Sequence, residues 1–151
     1  MIKNLEQKES LFILGHNYLG HLAYVYKNNP YVIPITYFYD QEQNAIICYS
    51  GEGHKTHAMR NNKSVALQVA EVETVNNWKS VLVHGTFEEL SRSDAKSQLH
   101  NFSLGVKDII LKREHRDVDF ISEFSSKIYK DDIPIVFKIH IQGVTGKERI
   151  H

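Results

Sequence analysis

The sequence has almost no cysteine: Cys48 is the one thiol in 151 residues, so the chain cannot form an internal disulfide. It lies in the apolar run "AIICYS" and reads as a small buried hydrophobe rather than a reactive nucleophile. Net charge is also missing. Lysines plus arginines number 18 and aspartates plus glutamates 18, so no global field draws in nucleic acid or an anionic membrane, and any anion site must be local. No uncharged run reaches the roughly 18 residues of a membrane span. The start "MIKNLEQKES" lacks the apolar segment and cleavage site of a signal peptide, which makes a cytoplasmic protein without membrane association the expectation.

Other absences remove whole classes of chemistry. There is no HExxH and no cysteine cluster; His54 and His57 are three apart, His16 and His21 five apart, and neither pair has the supporting ligands of a metal site, so no metal is expected. No serine sits in a GxSxG elbow. The aromatic stretch "YVIPITYFYD" has no lysine or arginine, which argues against an aromatic nucleic-acid platform with a basic groove.

What is present reads as one domain over residues 1–151, mainly β with flanking helices. Residues 5–19 have helical spacing, with Gly20 suited to a left-handed stop. "HLAYVY" and "YVIPITYFY" are β-branched and aromatic, joined by the hairpin chemistry of "KNNP". "AIICYS", "SVALQVAEV", "WKSVLVHGTFEEL" and "IPIVFKIHIQGV" continue the pattern, giving about six strands on short turns and an antiparallel barrel or sandwich. Between the fifth and sixth strands, "SDAKSQLHNFSL" with Ser93 as N-cap, "VKDIILKREH" and "VDFISEFSSKIY" read as helical. Pro34 cannot donate to a ladder, so its strand is an edge or bulge, or meets a ligand along its backbone.

One stretch concentrates candidate chemistry. In "YSGEGHKTHAMRNN" a strand ends, two glycines follow, and a short helix begins with His54 and Lys55. Free N–H groups and the positive end of a helix dipole make an anion site, and a lysine in the first turn is unfavourable unless an anion lies between it and the dipole. Ser50 adds a hydroxyl. A solvated surface turn explains the same residues equally well. Trp78 and Ser80 share one side of the next strand, where Trp78 either covers a barrel end or lies beside a flat ligand.

Taken in order, "GHLAYVY", "PYVIPITYFYD", "YSGEGHKTHAMRNNKSVALQV", "WKSVLVHGTFEEL" and "KIHIQGVTGK" resemble the pyridoxamine 5′-phosphate oxidase-like, FMN-binding split-barrel family, particularly its nitroimidazole-reductase-like branch. The resemblance implies a six-stranded antiparallel Greek-key split β-barrel, assembled as a homodimer with FMN in clefts at the subunit interface. It assigns Ile33, Pro34, Ile35, Thr36 and Tyr37 to the flavin ring and ribityl chain, largely through backbone atoms, and Ser50, His54 and Lys55 to the phosphate. It assigns Ser80 to the flavin, with Trp78 as its neighbour. Two departures argue against pyridoxamine phosphate oxidation itself: His54 stands where those oxidases have an arginine, and "GVTGKERIH" lacks their C-terminal tryptophan. The expected activity is an FMN-dependent oxidoreductase acting on a small aromatic or conjugated acceptor, with His54 as candidate proton donor. The rivals are a haem-binding or haem-degrading barrel, a non-catalytic flavin-binding module, and a deazaflavin protein.

Overall fold

The computed structural model describes residues 1–114 and 134–151. The elements in chain order are β1 (Ile2–Asn4), α1 (Gln7–His16), β2 (Leu19–Tyr26), β3 (Asn29–Asp40), β4 (Ala45–Ser50), α2 (His54–Asn61), β5 (Ser64–Thr74), β6 (Asn77–Glu89), α3 (Arg92–Glu114) and β7 (Ile135–Arg149).

Turn chemistry sets the first register. Lys27 and Asn28 both adopt positive φ, 48° and 65°, as a two-residue type I′ turn requires, so Tyr26 pairs with Asn29 and Tyr24 with Tyr31. Asn44, at φ 51°, closes the β3–β4 turn. After β4 the chain crosses through α2, and β5 returns beside β2, giving the order β4-β3-β2-β5 of a Greek key. β6 then pairs with β5, and β7 bonds to both β6 and β4, so six strands close on themselves. The addition to expectation is β1, a three-residue strand on the free edge of β7, too short and polar to announce itself in sequence.

Inward-facing Leu22, Tyr37, Ile46, Cys48, Leu67, Val81, Val83, Phe137 and Ile139 fill the barrel. α1 supplies Ile13 and Leu14 to this core and α2 supplies Ala58 and Met59. A second core lies outside the barrel, where α3 places Ala95, Leu99, Phe102, Val106 and Ile110 against Ile47 and Val136. Their three- and four-residue spacing makes one helical stripe, and each large side chain buried there contributes about 1.5–3 kcal/mol.

Three expectations are corrected. Gly20 is a strand residue rather than a left-handed stop: α1 ends at His16, and a Cβ at Gly20 would lie 2.9 Å from the Gln68 carbonyl oxygen of β5. The two helical segments around residues 93–115 form one helix beginning at Arg92, so Ser93 is inside its first turn rather than the N-cap. Gly105, at the apparent break, is there for contact: a Cβ would fall 2.2 Å from the Phe38 ring of β3. The expected helix "VDFISEFSSKIY" lies outside the described residues.

Candidate active site

The barrel is split between β3 and β4. Their pairing ends at Tyr37–Cys48, although β3 extends back to Asn29 and β4 on to Ser50. The Tyr37 N–H donates to the Tyr18 carbonyl on the β2 side, so odd-numbered residues of this part of β3 turn their backbone groups to β2 and even-numbered ones turn away. Pro30 and Pro34 both occupy the second set, where no ladder donor is required. Along this edge, among the described residues, no strand pairs with Val32, Pro34 or Thr36. Their carbonyls, with the N–H groups of Val32 and Thr36, form one wall of the split, and Val32 is 64% exposed.

The other wall is the start of α2. Gly53 is extended at φ 173°, and the Thr56 hydroxyl accepts its N–H at 3.1 Å. Glycine has no side chain to reach back into the first turn, so only half of a capping box forms and the N–H groups of His54, Lys55 and Thr56 stay open. A Cβ at Gly51 or Gly53 would meet nothing within 4 Å, so the space above the loop is clear. Lys55 is half-buried and, among the described residues, has no hydrogen bond or ion pair. Open amides, clear space and an uncommitted cation fit a phosphate group. Ser50 is buried, and its hydroxyl donates to the Gly51 carbonyl at 2.9 Å.

His54 joins the two walls. Its ring stacks on Tyr26 at 5.1 Å and meets the edge of Tyr31, in β3, at 4.8 Å. Its Nδ1 lies 3.1 Å from the Tyr24 hydroxyl, which donates when the imidazole is neutral at that nitrogen. Tyr24 itself stacks on Tyr31 at 5.3 Å, and burial together with Tyr31 raises its pKa. Three tyrosines thus hold the first helical side chain against the open strand.

The remaining predicted residues divide by strand parity. Pro34 and Thr36 are on the outer face, whereas Ile33, Ile35 and Tyr37 face inward; Tyr37 is fully buried and its hydroxyl donates to the Leu14 carbonyl at 2.6 Å. Ser80 and Trp78 are half-exposed on the outer face of β6, separated from β3 by β2 and β5, and Ser80 Oγ accepts from Gln68 Nε2 at 2.9 Å. They are not brought to the split within this chain. The same outer face shows Leu19 at 57% and Val72 at 69% exposure.

Sequence reasoning did not assign Tyr24, Tyr26 or Tyr31 to the site. The signal was available: a two-residue turn at Lys27–Asn28 forces Tyr24 opposite Tyr31. It also missed Arg60, which binds Glu52 in the glycine loop and Glu89 at the end of β6, an arrangement with no sequence signature. Among the described residues no group of three or more histidines, cysteines or carboxylates converges, and no helix is long and apolar enough to cross a membrane.

Comparison with known proteins agrees with this architecture. An uncharacterized protein of Rhizobium meliloti is 32% identical over 105 residues, 68% of each chain. A FAD-binding protein from Mesorhizobium loti has the same fold at a TM-score of 0.75, with 28% identity over 98% of both chains. A 5-nitroimidazole antibiotic resistance protein from Bacteroides thetaiotaomicron shares the fold at a TM-score of 0.69 and 19% identity, over 98% of this chain and 89% of its own. The family model described as pyridoxamine 5′-phosphate oxidase matches residues 6–125, well over half the chain, and includes both walls of the split. A split six-stranded barrel with that match along its sequence belongs to the pyridoxamine 5′-phosphate oxidase family.

Proposed function

We propose that the protein is an FMN-dependent oxidoreductase, a homodimer that passes electrons to a small aromatic or conjugated acceptor. The observation that carries the reading is the contact between His54 and Tyr31, which sets the open start of α2 beside the unpaired edge of β3. A flavin supplies the redox chemistry when bound, and the protein positions it and controls access. The Mesorhizobium relative, named as FAD-binding, supports a flavin over haem or deazaflavin.

Lys55 pairs with the phosphate, assisted by the first-turn amides and by His54. Ser50 contributes once its hydroxyl turns from the Gly51 carbonyl. The backbone of Pro34 and Thr36 offers hydrogen-bonding groups to a planar ring, while Ile33, Ile35 and Tyr37 hold that strand in place from inside the barrel. Ser80 and Trp78 are three strands from the open edge of β3, roughly 14 Å at the usual spacing, so they serve a flavin through a second subunit. The uncovered face carrying Leu19, Val32 and Val72 is suited to that subunit. His54, beside the split and within reach of Tyr24, is placed to hold a proton at its ring nitrogen.

The test is purification followed by absorption spectroscopy. Flavin bands and release of FMN on denaturation are expected. A colourless protein that also takes up no added FMN would refute the assignment.

A further inference from the structure

Glu52 lies between Gly51 and Gly53, one residue before the cap of α2. A carboxylate at that position has an obvious alternative place to go: the open amides of the first turn, where negative charge is favoured. It is already close. The Thr56 hydroxyl and His57 contribute to lowering the Glu52 pKa, though Arg60 dominates.

Arg60 holds it back. Its two terminal nitrogens reach the Glu52 carboxylate oxygens at 2.5 and 3.1 Å, a bidentate pair. The same guanidinium bonds Glu89 at 2.6 and 3.2 Å, which ties the arrangement to the end of β6. Arg60 is on the last turn of α2 and Glu89 on a barrel strand, so the pair fixes the carboxylate to the frame beside the first turn, and among the described residues no hydrogen bond joins it to the first-turn amides.

We propose that Glu52 is an internal competitor for the phosphate site, kept off the α2 amides by Arg60, which thereby acts as a positioning residue for phosphate recognition. The inference rests on the phosphate reading given above. Without Arg60, two carboxylates of one charge sign are left unpaired at this end of the barrel, and the one on the glycine loop can swing to the amides that the phosphate needs. The effect is specific to a phosphorylated ligand, because only the phosphate contends for those amides.

The experiment compares FMN with riboflavin, which lacks the phosphate, by fluorescence-quenching titration of four proteins: wild type, Arg60→Gln, Glu52→Gln and the double variant. The expected result is that Arg60→Gln weakens FMN roughly two- to fivefold, the scale of a charge at a helix N-terminus, and leaves riboflavin unchanged. Glu52→Gln binds FMN at least as tightly as wild type, and the double variant recovers wild-type affinity, which also shows that the loop folds without the ion pair. Loss that persists in the double variant overturns the inference, since Arg60 then acts through the loop or on the phosphate itself. An unchanged FMN affinity in Arg60→Gln overturns it as well. If wild type binds FMN no better than riboflavin, the phosphate reading falls and takes the inference with it.

Discussion

Replacing Lys55 with glutamine separates two effects of opposite sign. In the apoprotein the ammonium stands in the first turn of α2 with no partner among the described residues, against the positive end of the dipole. Lysine and glutamine have nearly equal helix propensity, so the substitution mainly removes that charge conflict. Relief of about 0.3–1 kcal/mol is expected, which for a chain of this size raises Tm by about 1–4 °C. With FMN bound the sign reverses. A charge-assisted contact to phosphate contributes about 1.5–3 kcal/mol, so its loss raises Kd roughly ten- to 150-fold. Differential scanning fluorimetry without flavin and fluorescence titration with FMN measure the two halves separately. A Kd within twofold of wild type, or an apoprotein that melts lower, would refute the reasoning, because each follows only if Lys55 already has another partner.

Three further outcomes test the fold and the assembly. Gly105→Ala should destabilise by about 1–3 kcal/mol in urea despite alanine's better helix propensity, since the added carbon overlaps the Phe38 ring; a more stable variant would show that α3 can shift freely. Burial raises the pKa of Cys48 and Tyr37 and pushes Tyr49 up to about 12, so these groups stay protonated in the folded chain above the pH at which they ionise when unfolded. Their stabilisation is complete below about pH 8 and is lost as pH rises past the unfolded values of about 8.5 for cysteine and about 10 for tyrosine, so the urea midpoint should fall between pH 8 and 11 and fall less in Tyr37→Phe. Val32→Glu places a charge on the open edge and should shift a dimer to monomer in analytical ultracentrifugation, with weaker FMN binding; an unchanged sedimentation coefficient would place the subunit contact elsewhere.

Much of the barrel could be read along the chain because its strands are dense in β-branched and aromatic residues and its turns carry asparagine. The six strand segments appear where expected, and Pro34 proves to be at an unpaired edge. Two of the errors share a cause. Gly20 looks like a stop to local reasoning and Gly105 falls between two helical segments, but each is small because a distant backbone or ring needs the space: the Gln68 carbonyl in one case and Phe38 in the other. At Gly105 α3 therefore runs straight through the gap between those segments.

The stretch from Ser50 to Asn62 shows the same division at the site. Its composition by itself determined a strand end, a glycine loop and a helix bearing cations, because these depend on local conformational preference and spacing. It left an anion site and a plain surface turn equally good. Tertiary structure decided what surrounds that helix: the split of β3 from β4, the tyrosines that seat His54 against Tyr31, and the Arg60 pairs with Glu52 and Glu89. Those depend on strand register and ring closure, where residues far apart in the chain meet only because six strands close on themselves. Ser80 and Trp78 make the point from the other direction: in sequence they follow the loop by one helix and one strand, and the barrel carries them three strands from the open edge of β3.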